Sequence, residues 1–236
     1  MLARHGAIAV YHYTPLHYLP FIARQGALLS KTQLSLLGFA DTHFRRTSRL
    51  QDEQRGFASY VHLTLDAHPP LLQAKLAGGF PHFEVAVPAA HFDDTEYALC
   101  RFNIAKARYF RGAKQEPPES DANGRYYDGM RLPTARTPME REGLLRHNLG
   151  RNMIEVLVPE QVPLPSGTTF RFFHDEDFHR AMQVLRNLRV SAYGLERDAQ
   201  LTYQPAPHHR ASTEDALARA VANEAWRGSG LDFDRV

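Results

Sequence analysis

The chain has 236 residues, enough for one large domain or two small ones with a substantial core. Its 43% hydrophobic and 23% charged residues are the balance of a globular chain, and a formal net charge of +2 selects no partner, although 28 basic residues leave room for local phosphate-binding patches. Cys100 is the single cysteine, which excludes an internal disulfide and a cysteine-based zinc site. With no apolar leader and no run of about 18 apolar residues, the expected setting is the cytoplasm, without a membrane.

The first predicted element is a strand over Ala7-Ile8-Ala9-Val10-Tyr11-His12-Tyr13, closed by Thr14-Pro15. A short helix is expected over 19–25, with Pro20 in its first turn and Gly26 ending it. The stretch 31–56 carries Arg45, Arg46, Arg49 and Arg55 and reads as a partly helical loop, too polar for the core. Tyr60 to Leu65 alternates as a strand and stops before Pro69-Pro70. Leu71 to Ala77 reads as a helix or turn, and Phe83, Val85 and Val87 mark another strand. A short strand is expected within 99–102. The Gly-, Pro- and charge-rich span 111–148 reads as a long functional loop of irregular structure.

Beyond it, Asn152-Met153-Ile154-Glu155-Val156-Leu157-Val158 has the pattern of a buried strand with a carboxylate in it. Burying a lone ionised carboxylate costs several kcal/mol, so Glu155 needs either an ion-pair partner among the arginines or a role in chemistry. A further strand is expected over 168–173 and a helix over 175–188 with Asp175 as its cap, its apolar face formed by Phe178, Met182, Leu185 and Leu188. A last strand is expected over 190–193. Residues 205–210 read as a linker, and Ser212-Thr213-Glu214-Asp215 as the capping box of a C-terminal helix. Short strands, short helices and long loops indicate an α+β fold.

The common engines are missing. There is no G-x-x-x-x-G-K-[ST] loop, no G-x-G-x-x-G after a strand, no G-x-S-x-G elbow and no H-E-x-x-H pair. The 13 histidines lack ligand spacing, since His12 and His17, like His174 and His179, are five apart, so no metal is expected. Tyr126-Tyr127 beside Arg125 and Arg131 could stack bases and hold phosphates, or be packed aromatics on a solvated loop.

One ordered set of short motifs remains. Tyr11-His12-Tyr13-Thr14, Leu19-Pro20-Phe21-Ile22 and Gly26-Ala27-Leu28-Leu29-Ser30 come first, followed by the arginine-rich stretch and by Tyr60-Val61-His62-Leu63 ahead of Pro69-Pro70-Leu71-Leu72. Glu155-Val156-Leu157-Val158 before Val162-Pro163 completes it. This order resembles the DarT-type nucleic-acid ADP-ribosyltransferases over Val10 to Pro163. The resemblance implies an ADP-ribosyltransferase-like fold of two small packed β-sheets with peripheral short helices, spanning 1–204, followed by a linker and helix over 205–236.

By the same resemblance, His12 would hold a ribose hydroxyl of NAD, with Thr14 and Tyr11 in support and Tyr60 stacking on nicotinamide. Glu155 would stabilise the transition state of glycosidic cleavage, and Arg46 or Arg49, with Arg45 third, would steer phosphates or substrate. NAD is then the co-substrate, and nucleic acid the acceptor, single-stranded DNA first and RNA as the alternative polymer. Such a toxin would need a neutralising partner, a macrodomain antitoxin. The competing readings are transfer to protein, simple NAD hydrolysis, and a catalytically silent nucleic-acid-binding module of the same fold.

Overall fold

The computed structural model describes residues 1–37, 52–53, 56–67, 69, 72, 76, 81–100, 134–148, 154–190 and 194–197. In chain order its elements are β1 (Ala9–Pro15), α1 (Leu19–Gln25), β2 (Ala27–Leu29), α2 (Lys31–Leu36), β3 (Tyr60–Thr64), β4 (His82–Pro88) and β5 (Ala98–Cys100). There follow β6 (Thr134–Ala135), α3 (Pro138–Asn148), β7 (Glu155–Pro159), β8 (Gln161–Pro163), β9 (Thr169–Phe172), α4 (Asp175–Asn187) and β10 (Gly194–Arg197).

Two sheets with peripheral short helices give the expected α+β architecture. The larger sheet has eight strands in the order β10-β9-β4-β1-β3-β7-β5-β6, antiparallel throughout except for the β10–β9 pair. The smaller sheet is β2 paired with β8. All seven residues of β1 pair with β4, whereas β1 meets β3 in register only at Tyr11 and Thr64. The large sheet is thus two four-stranded halves that part company just after Tyr11.

Alternation explains what each face does. Val10, Val61, Leu63, Phe83, Val85, Val87, Leu99, Val156, Val158, Phe170 and Phe172 occupy one face and make the main core. Phe83 sits fully buried between Phe170 and Phe172, with ring centroids at 5.9 and 5.5 Å. The same alternation sends Tyr11, Tyr13, His62, Thr64, Glu84, Glu155 and Arg171 to the other face, a polar strip crossing the middle of the sheet.

Local signals set the element ends. Gly26 takes φ 62°, the left-handed conformation that suits a glycine helix cap, and its N–H bonds the carbonyl of Ile22. Ser30 caps α2 by accepting from the Gln33 N–H at 3.2 Å. Glu160, with φ 59°, turns β7 into β8; its N–H reaches the Ser59 carbonyl, and its own carbonyl accepts from Ser30.

Four sequence expectations are corrected. The span read as an irregular loop over 111–148 contains α3, started by a capping box. The Thr137 hydroxyl accepts from the Glu140 N–H at 3.3 Å, and the Glu140 carboxylate accepts from the Thr137 and Arg136 N–H groups at 3.1 and 2.9 Å. Asp175 is the first residue of α4 and not its cap, the position taken by His174. Val190, expected to open the last strand, still bonds back to Leu185 at the helix end, and the last described strand lies at 194–197. Glu155 begins its strand instead of lying within one that starts at Asn152. The remainder of the long span, 111–133, and the predicted linker and C-terminal helix lie outside the described residues.

Candidate active site at the parting of the sheet

Glu155 lies at the first position of β7, with Thr64 of β3 on one side and Cys100 of β5 on the other. It is 9% exposed, so its carboxylate is largely withdrawn from water yet reachable. A histidine stands beside it: Oε2 lies 3.8 Å from Nδ1 of His62. That spacing is an ion-pair contact, longer than a hydrogen bond. The other ring nitrogen of His62, Nε2, donates to the Phe57 carbonyl at 3.2 Å.

Burial alone would lower the His62 pKa. The opposing attraction of Glu155, joined by Asp52 and reduced by Lys31, outweighs it, so the imidazole lies above its ordinary value. A protonated ring with one N–H on a carbonyl and the other toward a carboxylate fits that direction. Asp52 is buried and paired with Lys31 at the start of α2. When the His62 ring is protonated, charges of alternating sign follow one another here: Lys31, Asp52, His62, Glu155.

His12 reaches the same residue from the opposite side. Its Nδ1 lies 2.8 Å from the main-chain oxygen of His62. A carbonyl only accepts, so Nδ1 carries a proton, which makes Nε2 an acceptor when the ring is neutral. This bond spans the gap where β1 leaves β3 after Tyr11, so a side chain takes over where main-chain pairing ends. Strand alternation would put His12 and Glu155 on opposite faces of a continuous sheet; the parting of the strands lets both converge on His62.

Thr14 is buried two residues further along β1, opposite Phe83. Tyr11 faces Thr64 in the row that holds Glu155, its phenol pKa raised by burial and by Glu84, against the pull of Arg171. Tyr13 lies closer to the chemistry than sequence reasoning assigned. Burial and then the Glu155 charge push its phenol well above the ordinary value, and its ring packs against Leu72, Leu76 and Phe173.

Tyr60 sits at the far end of β3, opposite Pro159, with its ring 5.5 Å from that of Phe57. Four residues separate it from Thr64, about 13 Å along a strand. Below Tyr13, Glu84 is fully buried and receives Arg171 Nη1 at 3.1 Å. Arg45, Arg46 and Arg49 lie outside the described residues, as do Tyr126 and Tyr127.

His62 is the residue the sequence reading passed over. Its only sequence signal was a titratable side chain alternating with Val61 and Leu63 in a strand, a pattern that also describes solvated histidines. Among the described residues no group of three or more His, Cys, Asp or Glu is arranged to hold a metal ion, and no helix is long and apolar enough to cross a membrane.

The donor set suits a dinucleotide with ribose hydroxyls. His62 links the His12 imidazole, through its main-chain oxygen, to the Glu155 carboxylate, through its ring, and Tyr11, Tyr13 and the Glu84–Arg171 ion pair share the Glu155 face of the sheet. No family model matches this chain, and no curated protein matches it in sequence. Solved structures do match its fold. Thermus sp. 2.9 DarT in complex with ADP-ribosylated single-stranded DNA superposes with a TM-score of 0.56 at 12% identity, covering 84% of this chain and 97% of that one. The same protein in complex with NAD+ gives 0.52 at 13% identity, covering 84% and 98%. Thermosipho africanus DarTG in complex with ADP-ribose gives 0.51 at 13% identity, covering 86% of this chain and 51% of that one. The fold is the DarT-like ADP-ribosyltransferase fold.

Proposed function

We propose that this chain cleaves the glycosidic bond of NAD and transfers ADP-ribose to a base in nucleic acid, with single-stranded DNA as the first acceptor. The observation that carries the proposal is the convergence of His12 and Glu155 on His62, in a fold shared with proteins solved with NAD+ and with ADP-ribosylated single-stranded DNA. His12 Nε2 accepts from a ribose hydroxyl, oriented by the bond its Nδ1 makes. Thr14 and Tyr11 support that end of the clamp, and Tyr13, near enough to feel the Glu155 charge, forms the aromatic wall more readily than Tyr60.

As nicotinamide departs, positive charge grows on the ribose, and the largely buried Glu155 carboxylate is already in place to meet it. Preorganised charge of this kind in a water-poor site contributes about 10²- to 10³-fold to rate. Arg46 or Arg49, with Arg45 as the third candidate, supplies the phosphate-facing charge. A chain with this activity is toxic to its own cell, so a macrodomain antitoxin is the proposed partner.

Nicotinamide release from NAD, followed for the wild type and Glu155→Gln, tests the reading. Glu155→Gln should retain its fold and lose at least a hundredfold in turnover. Equal turnover by the two proteins removes Glu155 from the chemistry.

A further inference from the structure

We propose that His62 is the positioning residue of this site, holding Glu155 with its ring and His12 with its main-chain carbonyl. The inference rests on the NAD reading above and names the residue that sets that geometry. Three observations support it. The ring lies 3.8 Å from the Glu155 carboxylate, and its far side is anchored to the Phe57 carbonyl at 3.2 Å, so the ring plane is fixed from both ends. The carbonyl of the same residue fixes the tautomer of His12 at 2.8 Å. The side chain is one-fifth exposed, on the strand next to the point where β1 and β3 separate.

A single backbone position thereby ties together two groups on different halves of the sheet. Register alone cannot do this, since those halves share only the Tyr11–Thr64 pair. A displacement of His62 would move both ends of the clamp. Positional errors of about 1 Å in a reacting group cost on the order of a hundredfold in rate.

Among the described residues, the charged and titratable groups around His62 come from several elements. Glu155 faces it from β7, Lys31 from α2, Asp52 from the segment before Phe57, and His12 and Tyr13 from β1. Protonated His62 holds Glu155 by charge. As pH rises and the ring loses its proton, that hold is lost, while Asp52 remains neutralised by Lys31.

Two measurements test the proposal. The first is the NMR titration of the His62 ring in wild type and Glu155→Gln, which needs no turnover. The midpoint should lie above about 6.5 in wild type and fall in the variant. The second is the pH profile of NAD turnover for wild type, His62→Gln and His62→Ala. Near pH 6.5 kcat should drop about ten- to a hundredfold in His62→Gln, with KM changed less than about threefold, the pattern of an interaction needed mainly in the transition state. The alkaline limb set by His62 should be present in wild type and absent in the variant.

His62→Gln retains a polar side chain of similar reach, so it reports positioning even where His62→Ala unfolds. The proposal is overturned if the His62 midpoint is the same with and without the Glu155 charge. It is equally overturned if both variants turn over NAD like wild type. A wild type that does not turn over NAD refutes the functional reading and with it this role, although the titration would still show whether the His62–Glu155 contact exists.

Discussion

Replacing Arg171 with Met gives the sharpest stability test of the polar strip that carries the site. Glu84 is fully buried at the centre of β4, and Arg171 Nη1 lies 3.1 Å from its carboxylate. At an effective dielectric of about 20, opposite unit charges at that separation attract by about 5 kcal/mol. Removing one partner of such a pair typically costs about 3–5 kcal/mol, because the other charge remains buried. In a chain of this size each kcal/mol lowers Tm by about 2–4 °C, so Arg171→Met should melt about 6–20 °C below wild type.

The double variant Glu84→Gln, Arg171→Met removes both charges and should recover more than half of that loss. Thermal unfolding by circular dichroism, checked by calorimetry, measures all four proteins of the cycle. A single variant melting within about 2 °C of wild type would refute the reasoning. So would a double variant as unstable as the sum of the two singles, since the charges would then be uncoupled.

The capping box of α3 predicts that Glu140→Ala lowers stability by about 1 kcal/mol in denaturant unfolding, with Thr137→Ala less than additive to it because the two side chains share one motif. His62 predicts a pH-dependent stability. Its folded pKa is raised, so its contribution is fully present below the ordinary value of about 6.5 and is lost as pH rises through the folded value. The Tm gap between wild type and His62→Gln should therefore be widest at acid pH and close on the alkaline side; a gap that widens with pH contradicts the assignment. His12→Ala should raise the KM for NAD by about three- to tenfold, the loss of one hydrogen bond, and an unchanged KM would place His12 outside the ribose contact.

Much of the frame was legible because its signals are local. Gly26 ends α1 where a left-handed cap was expected, and the strands at 60–64, 82–88 and 169–172 follow the alternation of apolar residues. The start of α3 was just as local, with Pro138 and Glu140 following Thr137, but the surrounding glycines, prolines and charges obscured it. The β10 register depended on a parallel pairing with β9, which no adjacent residue announces.

Glu155 could be singled out as a carboxylate in an apolar strand, yet its partner could not. An arginine partner and a role in chemistry were the two sequence readings, and among the described residues the strand pairing brings His62 to within 3.8 Å of its carboxylate. The convergence of His12 on the same residue depends on where β1 departs from β3, a tertiary event absent from any periodicity. Sequence pattern singled out His12 and Glu155 as candidates, while their mutual positions came from the sheet.

The most direct test of the central claim is transfer of label from adenylate-labelled NAD to single-stranded DNA, RNA and a cell protein extract, using wild type and Glu155→Ala in parallel. The account predicts label on single-stranded DNA with wild type alone. Label on none of the three polymers, or the same label with Glu155→Ala, would contradict it.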